Sequence, residues 1–479
     1  MAVFQEMDLL KNLQSQNTWW ISGAVDKELV PAFKRSIYRK VHDVFFNEIR
    51  RFPVLSGPRR VGKSTIMFQM IDELLTSGIK PERILFYTFD EFPNDGISIK
   101  EVIETYQKYI YGGDDFYLFI DEAQKDRSWK NYTKKLFDLK KNVRTMITGS
   151  ASVEIETESD DSGSGRFLTL KIPTMSFYEF CVINGNEQDI PPVDVFKIYE
   201  LPLPEQSQIY LKLGSLYREM IRYMKLGGFP EFARSDNYAY VSRLIRDQVV
   251  SKAIKQDIPR SFEIRDAEAL SNLFTYFCYN TSEAISIDTI AKTLGIDRAT
   301  CNHYINALEK ANLIYISEQL NIEGKKPLKP RKKVHIVDYG INCAVTRNTD
   351  VETNEREFGS AIESISYKHT RDRFDSLDDE LYRVGYSRNE KGQEIDIVIQ
   401  KNSVDIQFVE AKFRNRSNIK DTDGIIVYGM ENTPGYVITK DTNDYGLTDR
   451  KNTSLYRIPA VAYFYLIGRD QAQNDKTSL

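Results

Sequence analysis

Residues 57–64 read Gly57-Pro58-Arg59-Arg60-Val61-Gly62-Lys63-Ser64, with Thr65 next. The pattern G-x-x-x-x-G-K-[ST] is matched at every position. The glycines let backbone N–H groups turn inward around a polyphosphate, and a following helix adds the positive end of its dipole. Lys63 is placed to reach terminal phosphates, and the Ser64 hydroxyl to ligate magnesium. Pro53-Val54-Leu55 before the octet and Ile66-Met67-Phe68-Gln69-Met70-Ile71 after it supply a strand–loop–helix setting. A loop of this kind needs acids on a neighbouring strand. Tyr117-Leu118-Phe119-Ile120-Asp121-Glu122 supplies them, with Asp121 placed 58 residues beyond Lys63 (121 − 63). Asp121 would hold magnesium through water, and Glu122 would polarise an attacking water. Thr148-Gly149-Ser150 closes the next apolar run: its hydroxyls either sense a γ-phosphate or simply end a strand. Arg166 is the candidate for a finger reaching a neighbouring subunit.

A second group of chemically capable residues lies near the C-terminus. In Glu394-Ile395-Asp396-Ile397-Val398-Ile399 the isoleucines at 395, 397 and 399 fall on one strand face, and Glu394 and Asp396 on the other. Thirteen residues separate Asp396 from Glu410 (410 − 396 − 1), a spacing that suits a hairpin, and Glu410 and Lys412 share a face of the next strand. Two carboxylates can hold a divalent metal, and a lysine beside them can help activate water. The plain alternative is a solvated strand face with alternating charges. The arrangement resembles the PD-(D/E)xK nuclease fold. That resemblance implies Asp396 and Glu410 as ligands of Mg2+ or Mn2+, Lys412 as the group orienting the water, and Glu363, in a helical block, as an assisting acid.

Between the two groups, Ile287–Leu294, Gly295 and Asp297 followed by Arg298–Asn312 read as helix, turn, N-cap and second helix. A strand then starts at Leu313. This is the winged-helix order. The second helix offers Arg298, Asn302, His303, Asn306 and Lys310 to DNA, unless the unit serves only as a connector. Lys325-Lys326-Pro327-Leu328-Lys329-Pro330-Arg331-Lys332-Lys333 holds six basic residues in nine. As a wing, Lys325, Lys326, Lys329, Arg331, Lys332 and Lys333 would track phosphates; as a linker they would merely be solvated.

Positioning the first group requires strands near 52–56, 84–89, 116–121, 144–148 and 167–172, alternating with helices near 64–76, 99–110 and 128–139. That alternation predicts a parallel sheet covered on both faces. The chain has 479 residues, enough for about three domains. A formal net charge of −4 excludes a globally basic surface and leaves nucleic-acid binding to local patches. Cys181, Cys278, Cys301 and Cys343 are far apart and read as reduced thiols. No apolar run is long enough for a membrane span, so a cytoplasmic protein is expected.

The octet, Asp121-Glu122-Ala123-Gln124 with Trp129, Thr148-Gly149-Ser150, Pro173-Thr174-Met175-Ser176-Phe177-Tyr178-Glu179-Phe180 and Gly227-Gly228-Phe229-Pro230-Glu231 together resemble the AAA-plus ATPases of archaea and bacteria. In that lineage an ATPase core precedes a winged helix and a C-terminal domain of unknown function. Asn17 with Trp19-Trp20 resembles its archaeal branch. The resemblance implies ATP binding and hydrolysis with Mg2+, a helical lid and homo-oligomerisation. The expected organisation is α/β: a lead-in at 1–49, a P-loop ATPase core at 50–182, a lid at 183–262, a winged helix at 263–333, a nuclease-like α/β domain at 334–468 and a frayed tail at 469–479. Two functions fit this plan. One is an ATP-driven device that binds or cuts duplex or branched DNA. The other is a nucleotide switch whose nuclease fold binds DNA or protein without cutting.

Overall fold

The computed structural model describes residues 2–90, 96–140, 142–149, 165–322, 331–348, 350–378, 381–412, 419–429, 433–450 and 453–477. The chain forms two compact units, Met1–Pro173 and Thr174–Ser478.

The first unit is built on five parallel strands, β1 (Phe52–Ser56), β2 (Ile84–Thr88), β3 (Tyr117–Asp121), β4 (Arg144–Gly149) and β5 (Phe167–Lys171), in the order β2-β3-β4-β1-β5. All five expected strands are present, within one residue at either end. Apolar runs buried on both faces are what a covered parallel sheet requires. Pro53 is tolerated inside the sheet because pairing of β1 with β4 begins only at Val54. Helices α1 (Ala2–Gln16), α2 (Trp19–Ser22), α3 (Tyr38–Phe46), α4 (Lys63–Thr76), α5 (Ile99–Tyr109) and α6 (Trp129–Leu139) surround it. Period two divides the strands. Leu85, Tyr87, Leu118 and Ile120 pack with Leu13, Val102, Tyr106 and Trp129 on one face. Phe86 and Phe119 turn the other way, to Phe68 and Phe45.

The lead-in is part of this unit rather than a separate segment. Strand β2 is a sheet edge, and residues 16–20 satisfy its open backbone. Asn17 accepts from Phe86 N–H at 2.7 Å and donates to Phe86 C=O at 2.8 Å. Gln16 Oε1 accepts from Thr88 N–H at 2.8 Å, and Trp20 Nε1 donates to Ile84 C=O at 2.8 Å. The edge is thereby closed to other strands.

The second unit starts with α7 (Phe177–Ile183), α8 (Leu203–Gly214), α9 (Tyr217–Leu226), α10 (Tyr238–Leu244) and α11 (Ile258–Phe262). Wide π-type turns at Ile245–Ser251 and Ala253–Asp257 lie between the last two. Helices α8 and α9 are separated at Ser215-Leu216. Next come α12 (Ala267–Tyr279), β6 (Ala284–Ile285), α13 (Ile287–Leu294), α14 (Arg298–Lys310), β7 (Ile314–Glu318) and β8 (Lys332–Ile336), whose strands form an antiparallel sheet in the order β6-β8-β7. Gly295 at φ 68° ends α13, and Asp297 caps α14 by accepting from Thr300 N–H at 2.9 Å.

After α15 (Tyr339–Thr346) and the long α16 (Glu355–Asp378) come β9 (Tyr382–Arg388), β10 (Glu394–Lys401), β11 (Val404–Ala411), α17 (Gly424–Tyr428), β12 (Gly435–Thr439), β13 (Gly446–Arg450), β14 (Thr453–Pro459) and α18 (Ala460–Thr477). Their six strands lie in the order β13-β14-β12-β11-β10-β9. Strict alternation along β10 does not hold: its register slips between Ile395 and Val398, and residues 397–400 are all buried. Such a bulge re-aims the side chains around it. The expected frayed tail is also corrected. Helix α18 runs on to Thr477 and buries Arg469, Asp470, Gln471 and Asp475. Asp470 is held by partners: it accepts from Val195 N–H at 2.8 Å and lies 3.7 Å from Arg373.

Candidate functional site

In the first unit the loop after β1 and the acid pair after β3 meet at the C-terminal ends of the strands, where ligands bind in open α/β sheets. Strand β4 lies between β1 and β3. Gly57 is required by space, because a Cβ there would come within 2.2 Å of Ile172 C=O. Gly62 at φ 97° is the residue from which α4 starts, and Arg60 at φ 68° shares the left-handed conformation. Pro58 and Val61 are buried, and Arg59, Arg60 and Thr65 are half-buried along the loop and first turn. Lys63 Nζ donates to Gly57 C=O and Pro58 C=O, both at 2.9 Å.

Ser64 Oγ donates to Asp121 Oδ2 at 2.9 Å. A hydroxyl and a carboxylate facing each other in this way fit the donor set of Mg2+. Thr148 Oγ1 donates to the other Asp121 oxygen and accepts from Glu122 N–H at 3.3 Å. Glu122 itself sits at φ 54°, and Gln124 Nε2 donates to its Oε2 at 2.5 Å. Burial pushes the Glu122 carboxyl up and the Asp121 charge adds to this, while Lys63, Arg59 and the Gln124 hydrogen bond pull it down.

Ser150 lies outside the described residues. Arg166 pairs with Asp138 of its own chain at 2.8 Å. Two supporting residues escaped the sequence reading. Buried Arg35 donates to Val61 C=O at 2.8 Å and Pro173 C=O at 2.9 Å, fixing the loop from behind. Gln124 belonged to a quoted motif but had no role. No spacing rule marks Arg35, because its partners are backbone atoms remote in sequence.

In the second unit the C-terminal acids are gathered by β10, β11 and α16. Strands β10 and β11 pair antiparallel with Ile397 opposite Val409. Asp396 Oδ2 accepts from Ala411 N–H at 2.9 Å. Lys412 Nζ lies 2.6 Å from Glu410 Oε1 and 3.6 Å from Asp423. The other Glu410 oxygen is buried without a hydrogen-bond partner. Burial pushes the Glu410 carboxyl well above the usual range, and Asp396 adds to this.

Glu363, on α16, is drawn elsewhere. Its Oε1 is 2.9 Å from Lys333 Nζ, which also lies 2.5 Å from Glu394 and 3.8 Å from Asp396. The three expected metal ligands therefore do not converge: a lysine stands between Glu363 and Asp396. Among the described residues no group of three or more His, Cys, Asp or Glu side chains is arranged to hold a metal. The carboxylate set does not fit a divalent ion of the expected kind.

The expectation that Lys333 tracks DNA phosphates in a basic wing, or is merely solvated in a linker, is corrected by the same geometry. Its side chain is 3% exposed, because β8 turns it inward onto the acids. Lys332 and Arg331 precede it at the exposed start of the strand, and Lys325, Lys326 and Lys329 lie outside the described residues. On α14, Arg298 is exposed and pairs with Asp288 at 3.0 Å, and Asn302 donates to Arg298 C=O at 3.1 Å. His303 meets Phe262 C=O at 2.9 Å.

A parallel sheet ordered β2-β3-β4-β1-β5, with this loop after β1 and an acid pair after β3, defines a P-loop, AAA-type ATPase-like domain. Residues 25–181 match the AAA domain family, while residues 217–352 and 358–461 match two domains of unknown function, DUF8612 and DUF4143. An uncharacterized protein of Haemophilus influenzae is 27% identical over 393 residues, covering 80% of this chain and 87% of its own. An uncharacterized protein of Methanocaldococcus jannaschii is 24% identical over 336 residues, covering 68% and 69%. Among solved structures, the ORC2 protein of Aeropyrum pernix aligns at a TM-score of 0.35 and 10% identity over 72% of this chain and 98% of that one. At that score the class rests on the site residues and the domain match. Among the described residues, no helix is long and apolar enough to cross a membrane.

Proposed function

We propose that the chain hydrolyses ATP in its first unit and uses the turnover to change how its second unit engages DNA. The observation that carries the ATPase reading is the hydrogen-bonded constellation of Ser64, Asp121, Thr148 and Glu122 beside Lys63. In this reading Gly57–Thr65 wrap the phosphates, Lys63 leaves its loop carbonyls for the terminal phosphates, and Ser64 and Asp121 hold Mg2+. The ion supplies charge neutralisation for the phosphoryl oxygens when bound. Glu122 orients the attacking water and takes up its proton, and Thr148 keeps the two acids in register. Arg166 remains the candidate finger in a homo-oligomer and must first exchange Asp138 for a neighbour's nucleotide.

In the second unit we read α12–α14 with β6–β8 as a winged helix and the six-stranded domain as a nuclease-like fold. Arg298, Asn302, Arg331 and Lys332 are its exposed DNA-facing candidates. Of the two uses of the C-terminal domain, binding is favoured over metal-dependent cutting because Lys333 fills the acid pocket.

ATP turnover and fluorescent-nucleotide binding, measured on the wild type, Lys63→Ala and Glu122→Gln, test the first part. Lys63→Ala should lose both signals. Glu122→Gln should keep binding while turnover falls about 100-fold or more. Undiminished turnover in Lys63→Ala overturns the site. For the second part, Arg298→Ala/Lys332→Ala should weaken binding to forked and duplex DNA and leave basal turnover intact. Magnesium- or manganese-dependent cleavage that is lost in Asp396→Asn would restore the nuclease reading.

A further inference from the structure

We infer that Lys333 is the resident cation of the C-terminal acid pocket, an ammonium built into the chain at the place where a divalent metal would have to stand to join Glu363 to Asp396. The inference rests on the non-cleaving reading of this domain and gives it a cause. Lys333 Nζ has three N–H donors and three carboxylates around it, at 2.9, 2.5 and 3.8 Å. It also lies 5.2 Å from the centre of the Tyr386 ring. Burial of the lysine works against its charge, but Glu363, Asp396 and Glu394 outweigh that and hold the ammonium well above the usual lysine range.

The remaining acid oxygens are largely committed. Asp396 Oδ2 serves Ala411 N–H and Glu410 Oε1 serves Lys412. Glu410 Oε2 has no hydrogen-bond partner and Asp396 Oδ1 stands 3.8 Å from the seated ammonium, but among the described residues no three acids are arranged around a common point where an ion could sit.

The same lysine ties two substructures together. It leaves β8, in the hairpin of the helix-turn-helix, and ends between α16 and β10 of the C-terminal domain. The backbone agrees with this tie. Leu320 N–H donates to Tyr386 C=O at 2.7 Å, Tyr386 Oη donates to Arg331 C=O at 2.9 Å, and a Cβ on Gly385 would come within 2.3 Å of Glu318 C=O. The ammonium is thus both counter-ion and rivet, and the carboxylates serve the fold rather than a bound metal.

Mn2+ uptake by the nucleotide-free, full-length protein tests this, read from the spin-resonance signal of free Mn2+ and from the melting temperature with Mn2+ or EDTA. Wild type and Asp396→Asn should take up the same amount, and Mn2+ should not shift the wild-type melt. Lys333→Ala should gain Mn2+ uptake and a Mn2+-dependent rise in melting temperature, both lost in Lys333→Ala/Asp396→Asn. Uptake by the wild type that falls in Asp396→Asn overturns the inference, as does a folded Lys333→Ala that gains nothing. Should the alanine variant not fold, Lys333→Met keeps the stem and removes the charge, and the wild-type and Asp396→Asn pair decides by itself. No DNA enters the assay, so a failure of DNA binding would sink the earlier reading and leave this one standing.

Discussion

Thr148 shows how much one hydroxyl can organise. It donates to Asp121 and accepts from Glu122 N–H, so from a strand that carries neither it orders the two acids that we propose hold Mg2+ and orient the water. Thr148→Val keeps the shape and removes both bonds. Turnover should fall more than nucleotide affinity, as separate kcat and binding measurements will report, because the acids lose register while the loop is untouched. Gln124 acts on protonation. Burial raises the Glu122 carboxyl and the Gln124 hydrogen bond opposes that rise. A general base works only when ionised, so turnover should climb with pH through the Glu122 titration. Gln124→Ala removes a lowering contribution and should move that rising limb to higher pH. A rate profile on the two proteins checks it; an unmoved limb means another group limits the rate.

At the scale of elements, buried polar contacts decide what local pattern leaves open. Asp470 on α18 is the clearest case for a pH test. Burial, aided by Asp194 and opposed by Arg373, pushes its carboxyl up to about 7 from an ordinary 3.8. The folded chain then holds a proton that the unfolded chain releases near pH 4. Stability from this group is therefore lost as pH rises from about 4 to about 7. Asp470→Asn should flatten that slope in thermal unfolding followed by circular dichroism. At the sheet edge, Asn17→Ala strands Phe86 N–H and C=O and should cost about 1–3 kcal/mol. All three tryptophans, Trp19, Trp20 and Trp129, belong to the first unit, so urea unfolding followed by their fluorescence reads that loss separately.

The five strands of the first sheet were legible because each is an apolar run stopped by a turn residue or an acid, and the loop and acid pair announce themselves by spacing. The helix-turn-helix was legible from Gly295 and Asp297. The bulge in β10, the ordered α18 and the inward turn of Lys333 were not. Each depends on a neighbour brought in by tertiary structure, and six basic residues in nine read alike whether or not the last of them is buried.

For the molecule as a whole, the joint between the hairpin β7–β8 and the C-terminal sheet would constrain where the nucleotide-driven motion we propose occurs. A helix-turn-helix riveted to its neighbour moves with it. Amide exchange at Leu320 and along β9 should be equally slow with and without ATP and Mg2+, while exchange in the 57–65 loop slows on binding. Faster exchange at the joint in ATP would show that the rivet opens.

The covered edge of the first sheet has a consequence in time. Asn17 and its partner Phe86 are 69 residues apart. At a synthesis rate of about 5–20 residues per second, the segment that guards the edge leaves the ribosome roughly 3 to 14 seconds before the strand it guards. The guard is therefore always waiting when β2 arrives, and the edge need never be bare in the newborn chain. A circular permutant that carries residues 1–22 on a flexible linker after residue 479 would reverse that order, and should aggregate during expression more than it does on refolding from urea.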